Sequence, residues 1–359
     1  MRTSSTRMHL ALAVGFWLWA LAATGSLSAA DSQDGIPSKV TLRVEKIAGA
    51  GSGGAVLDLG AKNAFDALWT ACPNVVFDGK RYLMWHSSLY DSHMGKGGIG
   101  LATSSDGIHW NRANRGDAVL SPGPPGAFDD GQVMGPFVLH ENGAYRMWYT
   151  GMSTRWHSSG IGFYRIGLAI SHDGIHWTRA NYGRPVLDVG PTGANDEVQV
   201  TTPSILREGG GYRMWYAAWS PKTGHTLCSA RSRDGMMWNR EDGGRPLTGL
   251  LSGGQYGPTV ARISSGYLML YVKASGSDAR GLFAATSKDG RKWTSLSNAA
   301  AIAPGEPPAF DSDLALHACL LKIKTAGHFK VWYTGYRREE GGPYGWKLRI
   351  GAATIFVDN

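Results

Sequence analysis

The stretch Tyr145-Arg146-Met147-Trp148-Tyr149, followed by Ser171-His172-Asp173-Gly174-Ile175-His176-Trp177, decides the fold because both halves recur along the chain. The first half returns as Tyr82-Leu83-Met84-Trp85, Tyr212-Arg213-Met214-Trp215-Tyr216, Tyr267-Leu268-Met269-Leu270-Tyr271 and Phe329-Lys330-Val331-Trp332-Tyr333. The second returns as Ser104 to Trp110, Ser232 to Trp238 and Ser287 to Trp293. Equivalent positions of the first element lie 63, 67, 55 and 62 residues apart. Short apolar runs of this kind read as strands. Asp-Gly reads as a tight hairpin turn whose two central residues both take φ > 0. A period this long, with four short strand signals per unit, predicts propeller blades.

Each unit parses into strands A to D. Strand A carries a proline (Pro73, Pro136, Pro203, Pro258), strand B is the Met-Trp-Tyr element, and strand C is of the Ile-Gly-Leu-Ala type, as in Ile99 to Ala102 and Ile166 to Ala169. Strand D follows the Asp-Gly turn. The fifth unit stops after strand C, at Ile350-Gly351-Ala352-Ala353, so Thr41 to Leu59 is expected to supply its missing strand. In support, Val56-Leu57-Asp58-Leu59-Gly60 matches Val186-Leu187-Asp188-Val189-Gly190, which follows strand D of the second unit. The reading is all-β: a single five-bladed β-propeller closed by pairing of its N- and C-terminal strands, which leaves no sheet edge exposed.

Composition agrees. Of 359 residues, 50 are glycine and 14 tryptophan, and only 18% are charged. That excludes a disordered chain and favours many tight turns. Residues 1–30 read as a signal peptide, with Arg2 and Arg7 before the apolar run Leu10 to Ala23 and a cleavage site at Ser28-Ala29-Ala30. An uncleaved anchor is the alternative. The run is shorter than a spanning helix needs, so residues 31–359 are expected to be secreted or periplasmic, with no membrane association after cleavage. Cys72, Cys228 and Cys319 lack CxxC spacing and read as buried free thiols, although one disulfide is compatible with export. The net charge of +8 comes from scattered Lys and Arg, so nucleic acid is not an expected partner. The sequence does not indicate an oligomeric state.

Topology separates two faces. Crossovers from D to A emerge with the B-to-C loops at one end, and these segments are long, variable and rich in Trp, His, Arg and acids. Variable loops on a rigid scaffold are where function concentrates. Eight tryptophans at repeat positions read as packing. Trp69, Trp156, Trp219 and Trp346 fall on the crossover face, as sugar platforms or as loop anchors. His93, His157 and His225 lie in B-to-C loops and read as solvated, or as holding a substrate or a metal although no two share ligand spacing, while Arg155, Arg337 and Arg338 are the arginines that stand out there. Asp66, Asp129, Asp196 and Asp311 each stand seven residues before the proline position of strand A, and such recurrence points to a structural role. Asp130, Glu197 and Asp313 break the symmetry and are better functional candidates.

Five blades, Asp-Gly-x-x-Trp hairpins and Met-Trp-Tyr strands over roughly residues 65–356 resemble the arabinanase, levansucrase and invertase superfamily of glycoside hydrolases. The resemblance implies a poly- or oligosaccharide substrate and paired catalytic carboxylates, one protonated and one acting as nucleophile or base. By blade position it places the nucleophile or base at Asp66, the stabiliser at Asp130 and the general acid at Glu197. The crossover-face residues Trp69, Trp156, Trp219, Trp346, His93, His225 and Arg155 are the candidate substrate contacts. No cofactor is required. His317 occupies a position that in some members stands beside a calcium in the central channel. The aspartate that this family carries directly before the strand A proline is absent, and the position reads Cys72, Gly135, Thr202, Gly257 and His317. A non-catalytic glycan-binding propeller is therefore the alternative to a secreted glycoside hydrolase.

Overall fold

The computed structural model describes residues 40–358 apart from residues 63, 90–96, 277–278, 324–326 and 340–344. The expected signal segment and His93 lie outside the described residues. All regular structure is β, apart from single 3-10 turns.

Strand β1 (Thr41–Ile47) comes first. It is followed by antiparallel sets in chain order: β2 (Ala71–Phe77), β3 (Tyr82–Leu89), β4 (Gly97–Ser104) and β5 (Asn111–Arg112), then β6 (Gln132–Glu141), β7 (Ala144–Trp156), β8 (Gly162–Ser171) and β9 (Thr178–Arg179). The third set is β10 (Gln199–Glu208), β11 (Gly211–Ser220), β12 (Gly224–Ser232) and β13 (Asn239–Arg240), and the fourth is β14 (Gln255–Ile263), β15 (Gly266–Lys273), β16 (Leu282–Ser287) and β17 (Thr294–Ser295). One parallel pair, Gln199 with Tyr164, joins the second and third sets into an eight-stranded sheet. The last set is β18 (Leu314–Lys322), β19 (His328–Arg338) and β20 (Trp346–Asp358), with β1 on its outer edge in register from Thr41–Asp358 to Ile47–Ala352. The N-terminal segment thus pairs where expected. Leu57 bridges Ile350 just as Leu187 bridges Ile166.

The two sequence repeats meet across neighbouring sets. The indole N–H groups of Trp85, Trp148 and Trp215 donate to the carbonyls of Gly174, Gly235 and Gly290 in the next set's turn, at 3.1, 2.8 and 2.8 Å. Trp332 closes on Gly107 of the first set at 2.8 Å. Each of these carbonyls also accepts from its own turn's tryptophan: Trp110, Trp177, Trp238 or Trp293. A Cβ on Gly235 would lie 2.7 Å from the Trp148 ring, so the site needs glycine for space as well as for its φ of 76°. The Asp-Gly turn differs from expectation, because only its glycine has positive φ. The aspartate is held instead by hydrogen bonds. Asp106 Oδ1 accepts the N–H groups of Ile108 and His109, and the Gly107 N–H donates to Ser104 Oγ. This explains why serine opens every copy of the motif.

Strands β2, β6, β10, β14 and β18 each break register once, at a left-handed residue: Cys72 (φ 50°), Gly135 (54°), Thr202 (46°), Gly257 (59°) and His317 (38°). Such bulges bend a strand. Here the freed N–H groups of Cys72, Gly135 and Thr202 donate to hydroxyls of the preceding set, Thr334, Ser87 and Thr150, at 2.8 to 2.9 Å. Further along, the N–H groups of Val138, Val260 and Leu320 donate to Asn74 Oδ1, Ser204 Oγ and Thr259 Oγ1, and that of Val75 to Cys319 Sγ. The inner strands line a narrow axial cavity of about 30 Å³.

The recurring aspartates form buried ion pairs. Arg112, Arg179 and Arg240 donate through Nε to Asp66, Asp129 and Asp196, and Lys46 of β1 donates to Asp311. Tyr149, Tyr216 and Tyr333 donate to the last three aspartates. In the fourth set Ser295 replaces the arginine and Leu251 the aspartate, and both contact Tyr271. Burial makes these charges depend on one another. We expect Arg240→Met, which strands the Asp196 carboxylate, to lower stability by about 3 kcal/mol, read as a shift in the denaturant midpoint at neutral pH.

Candidate functional site

Hydrogen bonds between crossovers and B-to-C loops place both at one end of the molecule. Asp130 accepts the N–H groups of Thr154 at 2.7 Å and Gly126 at 2.8 Å, and the Thr154 hydroxyl at 2.9 Å. Partial burial pushes this carboxyl up, but the Thr154 and Gly126 donors and the nearby Arg155 outweigh it and hold it below the usual range. Asp313 accepts the Arg338 N–H at 2.8 Å, and Glu197 accepts the Gly193 N–H at 2.5 Å. Asp66 is 0% exposed and belongs to the repeated ion pairs; burial raises its carboxyl despite Arg112.

The candidate residues fall into three groups. In the first, Asp130 lies beside Arg155 and Trp156 at the end of β7, where Trp156 is 43% exposed. The second is a row of rings running inward from Trp219 to His225 (6.5 Å), Tyr256 (5.6 Å) and His317 (5.6 Å). Glu197 joins its outer end, because the neighbouring Val198 N–H donates to the Trp219 carbonyl. Burial pushes the imidazoles of His225 and His317 down to about 4 and about 3. In the third, Trp69 and Trp346 stack at 4.6 Å, with Tyr336 6.0 Å from Trp346.

A wide cleft lies next to the third group through Arg338, which pairs with Trp346. It has a volume of about 590 Å³ and lies between the crossover into β18 and the end of β19. Arg280, Glu306, Asp313, Arg337 and Arg338 supply its charged lining, and Arg338 stands directly opposite Trp346 in the β19–β20 ladder. The sequence reading reached Asp313, Arg337 and Arg338 but missed Arg280 and Glu306. Glu306 lies in the proline-dense crossover Pro304-Gly305-Glu306-Pro307-Pro308, which parallels Pro122-Gly123-Pro124-Pro125 before β6 and carries an acid where that copy has Pro124, whereas Arg280 lies in the loop between β15 and β16. Asp66, Asp130 and Glu197 do not line the narrow axial cavity.

Calcium takes six to eight oxygen ligands, mostly carboxylate and carbonyl. The axial lining near His317 offers a thiol, a hydroxyl and an imidazole instead, and no group of three His, Cys, Asp or Glu gathers among the described residues. These residues do not suit that ion, and no chemistry is derived through it.

A histidine kept neutral by burial opposes acid stability. The unfolded chain takes up a proton below its ordinary value near 6.5, while folded His317 does so only near 3. Stability is therefore complete above that ordinary value and falls as pH drops toward about 3. We expect His317→Asn, which keeps a residue tolerant of positive φ, to flatten this slope in melting curves recorded across that range.

No family model matches the chain. An uncharacterized protein of Mycobacterium tuberculosis is 29% identical over 216 residues, covering 57% of this chain and 68% of that protein. An A type blood N-acetyl-α-D-galactosamine deacetylase of Flavonifractor plautii is 24% identical over 231 residues, or 58% of this chain and 28% of that protein. Among solved structures, a glycoside hydrolase aligns with a TM-score of 0.67 at 20% identity, covering 87% of this chain and 92% of its own. The F. plautii N-acetylgalactosamine deacetylase, in complex with blood group B trisaccharide, aligns at 0.62 with 16% identity over 87% and 95%. A family 117 glycoside hydrolase of Zobellia galactanivorans aligns at 0.62 with 15% identity over 89% and 90%. The chain is thus all-β with the propeller fold of these neighbours, which include glycoside hydrolases and a deacetylase.

Proposed function

We propose that the chain is an exported five-bladed propeller, closed by the β1–β20 pair, that hydrolyses a poly- or oligosaccharide at its crossover face. The contacts of β18 with β2, and of each other inner strand with the next, support the closed ring. The observation that carries the functional reading is that Arg338, which lines the 590 Å³ cleft, stands opposite Trp346 of the Trp69–Trp346 stack. A sugar ring presents C–H faces that pack on aromatic planes and hydroxyls that need polar partners. Here the two surfaces adjoin through Arg338 and Trp346.

Hydrolysis of a glycosidic bond needs one carboxyl that gives a proton and another that attacks or activates water. Glu306 and Asp313 line the same cleft. Asp313 is oriented by the Arg338 N–H on one oxygen, which leaves the other for substrate or water. We assign the pair to these two residues. Asp130 and Glu197, placed by blade position, form the competing pair. The alternative of glycan binding without hydrolysis is favoured by an axial lining that contains no carboxylate.

A glycan hydrolysis screen, read by reducing ends and by acetate release beside a binding array, tests this. We expect Glu306→Gln and Asp313→Asn each to cut turnover about 100-fold or more with an unchanged melting temperature. Losses confined to Asp130→Asn and Glu197→Gln would move the chemistry to the second and third blades. Binding without turnover by the wild type would establish the non-catalytic alternative.

A further inference from the structure

We propose that the sugar taken by this cleft carries an anionic group, a carboxylate or a sulfate ester, received by Arg280, Arg337 and Arg338. The inference rests on the reading of the cleft as a glycan site. It starts from how these guanidinium groups are held. Elsewhere in the fold, Arg112, Arg179 and Arg240 face buried aspartates that neutralise them. In the cleft, Arg280 donates from Nε to the Asp313 carbonyl at 3.0 Å and from Nη2 to the Ser312 carbonyl at 2.8 Å. Arg337 donates to the Pro308 carbonyl at 2.5 Å. Main-chain carbonyls fix the direction of a guanidinium without cancelling its charge.

Two carboxylates, Glu306 and Asp313, share the cleft lining with three guanidinium groups. Asp313 spends an oxygen on the Arg338 main-chain N–H. Glu339 lies 3.8 Å from Arg337 but is gripped at 2.6 Å by the buried Arg349. Lys347 stands opposite Arg337 in the β19–β20 ladder and adds positive charge to the same rim. Three guanidinium groups, two of them oriented by main-chain carbonyls, outnumber the two carboxylates of this wide cleft, and an anion between them offsets the excess positive charge. Their planar forks also suit the paired oxygens of carboxylate and sulfate. Hydroxyl groups alone would leave the excess charge unanswered.

The test is a binding panel of oligogalacturonate, the same oligosaccharide methyl-esterified, a sulfated galactan oligosaccharide and its desulfated form. We expect one charged member to bind about 10- to 100-fold tighter than its uncharged counterpart, with the gap narrowing as salt rises. The member preferred separates carboxylate from sulfate. Arg338→Gln, whose side chain is exposed, and Arg280→Gln should each erase the preference, and melting curves identify any variant that fails to fold. Equal binding of charged and uncharged forms, or a preference that survives both substitutions, overturns the proposal. If uncharged glycans are cleaved in a Glu306-dependent way without charge preference, only the anion assignment fails. If the protein neither binds nor cleaves any glycan, the reading of the cleft itself fails.

Discussion

The hydrogen bond from a strand B indole to the glycine carbonyl of the next sheet's turn is the constraint on which the rest of the structure depends. One carbonyl serves two tryptophans, one from its own turn and one from the neighbouring sheet. This ties the two repeated motifs into a single device, and the exception confirms the link. The fourth repeat carries Leu270 where the others carry tryptophan, and the sheet that follows it has no Asp-Gly turn, because β1 supplies its outer strand. With no carbonyl to receive it, the indole is dispensable. The buried ion pairs obey the same logic, for Ser295 and Leu251 replace arginine and aspartate together.

These ties hold the inner strands and the turn face rigidly and leave the opposite face free to vary. Three of the five bulges send a main-chain N–H to the neighbouring sheet, so structural bonds surround the narrow axis. Open space lies instead between the crossover into β18, the loop between β15 and β16 and the end of β19. There the aromatic stack joins Trp69 of the first crossover to Trp346 of the final strand.

The fold was legible because its bonds repeat. Each copy of Met-Trp-Tyr and Ser-x-Asp-Gly-x-x-Trp reports the same contact, and the placement of β1 followed from the one missing strand. The turn chemistry was less legible. Asp-Gly suggested two left-handed residues, whereas the serine hydroxyl and the aspartate carboxylate stabilise a turn that needs only one. Recurrence read correctly as structure for Asp129, Asp196 and Asp311. The cleft was harder, because Arg280 comes from the loop between β15 and β16 and Glu306 from the crossover into β18, and their proximity arises only when that loop and that crossover fold together. Asp130 and Glu197 looked asymmetric by sequence, yet each caps a similar crossover turn, through Gly126 and Gly193.

The stacking of Trp69 on Trp346 has a consequence for biosynthesis. The two rings enter the polypeptide nearly a whole sheet assembly apart, and Arg349 beside them is clamped by Asp58 and Glu339, which come from the same distant segments. A ribosome releases the final strand last. The Trp69–Trp346 stack therefore forms only when β20 has been made and docks against the crossover that precedes β2, and every shorter product lacks it.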